Sequence, residues 1–241
     1  MFRFNCFFVS GFVVSLLYGC GEVLNSNKID TGDIYVDYSV DVVDDNVAVI
    51  DATLLLHNKK SYKYIRLVDG DDLVVSLNGG ETQVLVRSTG LFNESKKYSL
   101  QIEEEGAGLE GAEYKIQLVR TKYQAALESV AFVPAAYTGL IADRESFSRT
   151  QEPLTLTWDG LDYTRRIPLA FSGECITNNE IKTADSGIYI VNTGFFYDQN
   201  ASCDITFDLK SYADGEVDEV LVYGSEFKVT NHTRLVVPST P

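Results

Sequence analysis

Apolar and polar residues alternate through most of the chain beyond residue 33, which is the period of a strand with one face buried. In DIYVDYSVDVV, Ile34, Val36, Tyr38, Val40 and Val42 point one way, and Asp37, Ser39 and Asp41 point the other. NVAVIDATLLL repeats the pattern with Ala48, Ile50, Ala52, Leu54 and Leu56. The same reading predicts strands over 64–68, 73–77, 82–87, 98–103, 113–120 and 129–133. Turn signals separate them: Asp69-Gly70, Asn78-Gly79 and the Gly106-Ala107-Gly108 cluster. YQAALESVAF, residues 123–132, reads equally as one short helix or as the lead-in to a strand.

Pro134-Ala135-Ala136 is the best boundary, because every proline of the chain falls at or after it. Beyond it, strands are expected over 154–158, 165–172, 187–191, 203–212, 217–223, 226–230 and 233–237. CDITFDLKSY is the clearest, with Cys203, Ile205, Phe207 and Leu209 on one face. Pro168 marks its strand as an edge or a bulge, since proline has no N–H for a ladder. The expected fold class is all-β: two antiparallel β-sandwich domains, 34–134 and 135–241.

The first nineteen residues break the alternation. One arginine, Arg3, precedes an apolar run from Phe4 to Tyr18 and then Gly19, the order of a secretory signal peptide over residues 1–19. Leu17-Tyr18-Gly19-Cys20 resembles the bacterial lipobox. That resemblance implies cleavage between Gly19 and Cys20 and lipid on Cys20, with Tyr18 departing from the small or aliphatic residue usual there. Gly21, where an aspartate tends to retain lipoproteins in the inner membrane, implies the outer membrane of a diderm bacterium. An ordinary cleaved signal and an uncleaved anchor are the alternatives. Residues 20–33, polar and turn-rich, read as a tether between lipid and domain.

Charge supports that address. Residues 20–241 carry 19 basic and 35 acidic side chains, a balance of −16. Such a chain repels phosphate backbones and anionic headgroups, so no nucleic-acid partner is expected, and a membrane partner must be held through the lipid anchor. No apolar run past residue 20 reaches the roughly 18 residues of a membrane span.

Two short motifs carry a second resemblance. PLTLTW, ending at Trp158, resembles an early strand of fibronectin type III modules, whose Trp packs in the core. DSGIY, residues 185–189, resembles the Asp-x-Gly-x-Tyr run leading into a late immunoglobulin strand, where the Tyr forms a corner. Val191 replaces the Cys that follows in that family, and the order Trp158, Cys175, DSGIY, Cys203 differs from its Cys–Trp–Cys order. This half also resembles domains of bacterial lipoproteins that bring no function with them.

Once Cys6 leaves with the signal and Cys20 takes lipid, Cys175 and Cys203 remain as the natural disulfide in an exported chain. A catalytic thiol is the alternative. The two histidines, His57 and His232, fall in different halves. With no His/Cys cluster and no phosphate-cradling glycine loop, the sequence offers no zinc, Rossmann or P-loop motif, and no cofactor is expected. A Ser–His–Asp triad stays open to a chain of this length, although no Gly-x-Ser-x-Gly elbow supports one. Acidic turns offer calcium candidates, Asp69, Asp71 and Asp72 foremost, set against simple solvation of an acidic surface. Phe195, Phe196 and Tyr197 offer a candidate ligand-binding surface, set against rings tucked beneath the sandwich.

The expected function is a non-catalytic, lipid-anchored structural or protein-binding module with an envelope protein or glycan as partner. A carbohydrate- or calcium-binding adhesin-like module and an envelope hydrolase are the alternatives.

Overall fold

Residues 22–89, 94–160, 162, 164–196 and 201–241 are described by the computed structural model. The signal, Gly19 and Cys20 lie outside them. The first half forms β1 (Val23–Asn25), β2 (Ile34–Asp44), β3 (Val47–Leu56), β4 (Tyr64–Arg66), β5 (Asp72–Leu77), β6 (Gln83–Val84), β7 (Val86–Thr89), β8 (Glu94–Glu103), β9 (Glu113–Arg120) and β10 (Ala125–Phe132). The second forms β11 (Ile141–Ala142), β12 (Phe147–Ser148), β13 (Leu154–Thr157), β14 (Arg166–Ser172), β15 (Asn179–Ala184), β16 (Ile188–Val191), β17 (Cys203–Asp214) and β18 (Glu226–Thr240). Short 3-10 turns at Ser26–Lys28, Thr31–Asp33 and Thr121–Tyr123 are the helical elements among the described residues. The fold is all-β.

One long sheet runs through both halves in the order β1-β4-β3-β2-β18-β17-β14-β15. The far edge of β3 is shared, with β8 along Val47–Thr53 and β4 at Leu55. A second sheet, β10-β9-β5-β6, covers the first half, and a third, β11-β13-β16, covers the second. Two cores result. In the first, Ile34, Val36, Tyr38 and Val40 of β2 and Ile50 and Leu54 of β3 meet Val75, Ile116 and Leu118. In the second, Leu154, Leu156 and Trp158 meet Leu169, Phe171, Ile205, Phe207 and Leu209. Among them, Ile34, Val36, Tyr38, Val40, Ile50, Leu54, Ile205, Phe207 and Leu209 are residues the alternation set on one face. Each large aliphatic or aromatic side chain fully buried this way contributes about 1.5–3 kcal/mol.

The two halves are not separate units. β18 pairs antiparallel with β17 over its whole exposed-to-β17 edge, Lys228 to Ser239, while Glu226–Asn231 pair parallel with Asp37–Val42 of β2. Phe227 and Val229 of β18, and Leu221 before it, are buried in the first core. The expected domain 34–134 is therefore incomplete without residues beyond 134. Nor is Pro134-Ala135-Ala136 a free linker. Asn231 Nδ2 donates to the Pro134 carbonyl at 2.9 Å, and the Ser211 and Thr233 hydroxyls donate to the carbonyls of Ala135 and Tyr137.

Several expectations are corrected. The tether over 20–33 does not extend past Glu22, because β1 pairs parallel with β4 and Ser26 is fully buried. Among the described residues the antiparallel rule has three exceptions: β1 with β4, β18 with β2, and β12 with β18. Residues 123–132 resolve as strand β10 after a 3-10 turn, with Gln124 left-handed at the junction. No strand forms over 217–223. Asp218 accepts the Val220 N–H at its own side chain and the Leu221 N–H at its carbonyl, folding the segment into turns. The predicted strands 226–230 and 233–237 are one strand, since Asn231 and His232 are hydrogen-bonded polar residues and not a turn. β15 (NEIKTA) escaped notice because an edge strand with mostly exposed side chains has little apolar alternation. Pro168 lies in an internal strand, but at a point where β14 has only β15 beside it. Pairing with β17 begins at Leu169.

Candidate functional site

The face of the long sheet away from the cores carries a charged seam where the halves join. β18 is the middle strand there, with β2 on one side and β17 on the other. Alternation puts Phe227, Val229 and Asn231 inward, so His232 and Arg234 face outward. His232 stands in register with Lys210 of β17, next to Asp208. Its Nδ1 lies 2.8 Å from Asp208 Oδ2 and its Nε2 lies 3.9 Å from Asp41 Oδ1 on β2. Arg234 Nε is 3.7 Å from the same Asp208 oxygen. Both His232 and Asp208 are largely buried, while Asp41 is half-exposed.

The electrostatics follow from that placement. The hydrogen bond to Asp208, and then the nearby Asp41 carboxylate, raise the His232 pKa above its ordinary value against the opposing effect of burial. Pairing with His232 in turn holds the Asp41 carboxyl below its ordinary value. Protonated, the imidazole can donate at both nitrogens and bridge β17 to β2 across β18. Neutral, it has one donor for two carboxylates. The arrangement joins strands, and its two carboxylates engage the imidazole itself.

Two buried arginines organise the interior. Arg120 Nε donates to Asp71 Oδ2 at 3.0 Å, and its Nη2 donates to the carbonyls of Ser26 and Ile29, both at 2.9 Å. Arg149 donates to Cys175 Sγ at 3.2 Å, to Ser239 Oγ at 2.7 Å and to the Ala201 carbonyl at 2.7 Å.

Several predicted site residues take structural roles. Cys175 and Cys203 form a disulfide, with Cα atoms 5.7 Å apart. This excludes a free catalytic thiol at either position. Of the calcium candidates Asp69, Asp71 and Asp72, two have protein partners. Both oxygens of Asp71 are engaged, by Arg120 and by the Thr121 N–H at 2.8 Å, so a guanidinium occupies the counter-charge position. Asp69 instead accepts from Asn27. Of the two readings of Phe195 and Phe196, the structure shows rings tucked beneath the sandwich. Their ring centroids lie 5.1 and 5.6 Å from that of Phe171, and Phe196 is only 7% exposed. Tyr197 lies outside the described residues.

Trp158 packs in the second core, as its motif implies, and Asp185 anchors it. Trp158 Nε1 donates to Asp185 Oδ1 at 3.1 Å, and the Tyr137 hydroxyl reaches Asp185 Oδ2 at 3.3 Å. Burial, and then the Asp185 charge, push the Tyr137 hydroxyl up to about 12. Tyr189 packs its ring 6.3 Å from Phe171. The buried member of DSGIY is thus its aspartate, anchoring the tryptophan.

No protein-family model matches this chain. No curated protein matches it either. A solved structure of the titin domains Z1Z2 in complex with telethonin aligns over 88% of this chain and 100% of its own, at 13% identity and a TM-score of 0.27.

Sequence reasoning missed the seam. Asp208 meets His232 across the antiparallel β17–β18 ladder, whereas Asp41, almost two hundred residues earlier, reaches it only through the parallel β2–β18 register. The sequence did offer one usable signal, a histidine at an outward position of an alternating strand.

Proposed function

We propose that this protein is a lipid-anchored envelope lipoprotein whose β domains serve as a non-catalytic structural or protein-binding module. The observation that carries the reading is the placement of Leu17-Tyr18-Gly19-Cys20 immediately ahead of β1, so that a cleaved chain would begin where the fold begins. An acidic chain with a balance of −16 needs such an anchor to stay at a membrane. The polar groups sequence reading offered for other chemistry are committed elsewhere: the two cysteines to each other, Asp71 to Arg120, and His232 to two carboxylates.

Metabolic labelling with a fatty-acid analogue tests the anchor. Wild type is expected to incorporate label and Cys20→Ser to lose it; equal labelling of the two would refute the reading. Crosslinking in the native envelope followed by mass spectrometry tests the binding role, with recovery of one recurrent protein partner as the expected result.

A further inference from the structure

The entry of the chain into the fold fixes which end of the molecule a lipid at Cys20 would hold. The Glu22 carbonyl accepts the Tyr64 N–H at 2.8 Å, and Val23 stands in register with Tyr64. Cys20 is two residues before Glu22, so their Cα atoms are within about 7 Å of each other. Leading into Tyr64 is the loop 57–63, HNKKSYK. Residues 57–66 hold four lysines and arginines and no acid, and no separate ten-residue stretch carries as many cations.

A second loop reaches the same end. Ile34 opens β2 in register with Leu56, the residue before the 57–63 loop. The Ile34 carbonyl accepts the Val222 N–H at 3.0 Å, and Glu226 binds Lys59 Nζ at 2.7 Å. The turn 222–226 therefore lies beside the loop. Each carries an outward aromatic: Tyr62 is 78% exposed and Tyr223 fully so. Lys59, Lys60 and Lys63 are exposed, and Lys96 sits 4.4 Å above the Tyr64 ring.

The acids facing these cations are Glu22 on Lys63, Asp37 and Glu226 on Lys59, and Asp33 on His57. Lys60 has no acidic partner among the described residues. Asp218 and Glu219 lie just ahead of the turn, lining one cavity with Val222 and Tyr223. Even with them, cations and anions are nearer balance at this end than over the whole chain, where acids outnumber bases 35 to 20. An anionic surface meets less repulsion here than the overall charge would give. Tyrosine suits a headgroup layer, where its ring is half-buried and its hydroxyl stays wet, and lysine stems reach along such a layer to phosphate.

We propose that the loop 57–63 and the turn 222–226 form a foot that rests on a phospholipid bilayer bearing anionic headgroups. Tyr62 and Tyr223 enter the headgroup layer, and Lys59, Lys60 and Lys63 face the phosphates. The proposal rests on the lipidation of Cys20, which supplies the high local concentration that a nearly balanced patch does not supply alone.

The test uses lipidated protein reconstituted into phosphatidylcholine vesicles containing phosphatidylglycerol, with acyl chains brominated near the headgroup. Tryptophan fluorescence is read for Tyr62→Trp, Tyr223→Trp and the control Phe132→Trp. Phe132 is 52% exposed, and it lies toward the far end of β2, where the Val133 and Ala112 backbones lead to Gly108 against Asp44. Trp158 contributes equally to all three. Quenching of the first two is expected to exceed the control by about twofold or more. Adding Lys59→Glu, Lys60→Glu and Lys63→Glu is expected to reduce it, with melting temperature reported to confirm folding. Quenching no greater than the control, in protein whose Cys20 carries the fatty-acid label, overturns the foot and leaves the anchor standing. Absence of the label overturns the anchor, and that is read independently of fluorescence.

Discussion

Arg120 is fully buried, and it is paired with an aspartate almost as buried. Its guanidinium ties β9 to the Asp71 turn and to the carbonyls of Ser26 and Ile29 near the start of the fold. Asp71→Ala would leave that charge uncompensated, and urea denaturation is expected to show a loss of about 3–5 kcal/mol. Replacing both members, Asp71→Leu with Arg120→Met, is expected to restore much of it. The Cys175–Cys203 bond closes a loop of 28 residues. In the chain-entropy model, Cys175→Ala with Cys203→Ala costs about 3–4 kcal/mol, seen as a lower melting temperature that reductant no longer changes. Inward residues such as Val36, Ile50 and Phe207 were legible because period two leaves them one face. Phe195 and Phe196 were not: adjacent rings leave a strand pattern ambiguous, and their packing against Phe171 decides their place.

The strands were mostly visible in the sequence, but their neighbours were not. β9 occupies the residues the pattern predicted. The parallel pairing of β18 with β2 has no local signal, because it depends on the path of everything between them. That pairing brings Asp41 to the His232–Asp208 pair and completes the seam, whose stability depends on pH. His232 holds its proton more tightly in the folded chain than at its ordinary pKa of about 6.5. Its contribution is therefore complete below that value and declines as pH rises through the folded pKa. Between about pH 6 and pH 8.5, wild type is expected to lose more melting temperature than His232→Gln. Equal losses would show that the seam does not store proton-linked stability. Lys210 and Arg234, which also face Asp208, keep their charge through that range and do not confuse the comparison.

For the whole molecule, composition and alternation gave an all-β fold, and the change at Pro134 gave two cores. The continuous sheet was hidden, since a strand that serves two cores looks from the sequence like a strand that serves one. Residues 22–134 expressed alone are expected to fail to fold cooperatively, because β2 loses its β18 neighbour and the core loses Leu221, Phe227 and Val229. Circular dichroism melts and limited proteolysis would show this. Sharp, protease-resistant unfolding of that fragment would mean that β18 is dispensable to the first core.

The β2–β18 pairing also sets the order of assembly. A chain that emerges from its N-terminus presents β2 almost two hundred residues before its partner at Glu226. Until then the N–H and C=O groups on the edge of Asp37–Val42 away from β3 lack their β18 partner and can be taken up by other strands. Vectorial completion of one half and then the other is closed to this topology. The first core must be kept waiting, or kept apart from its neighbours, until the last strand arrives.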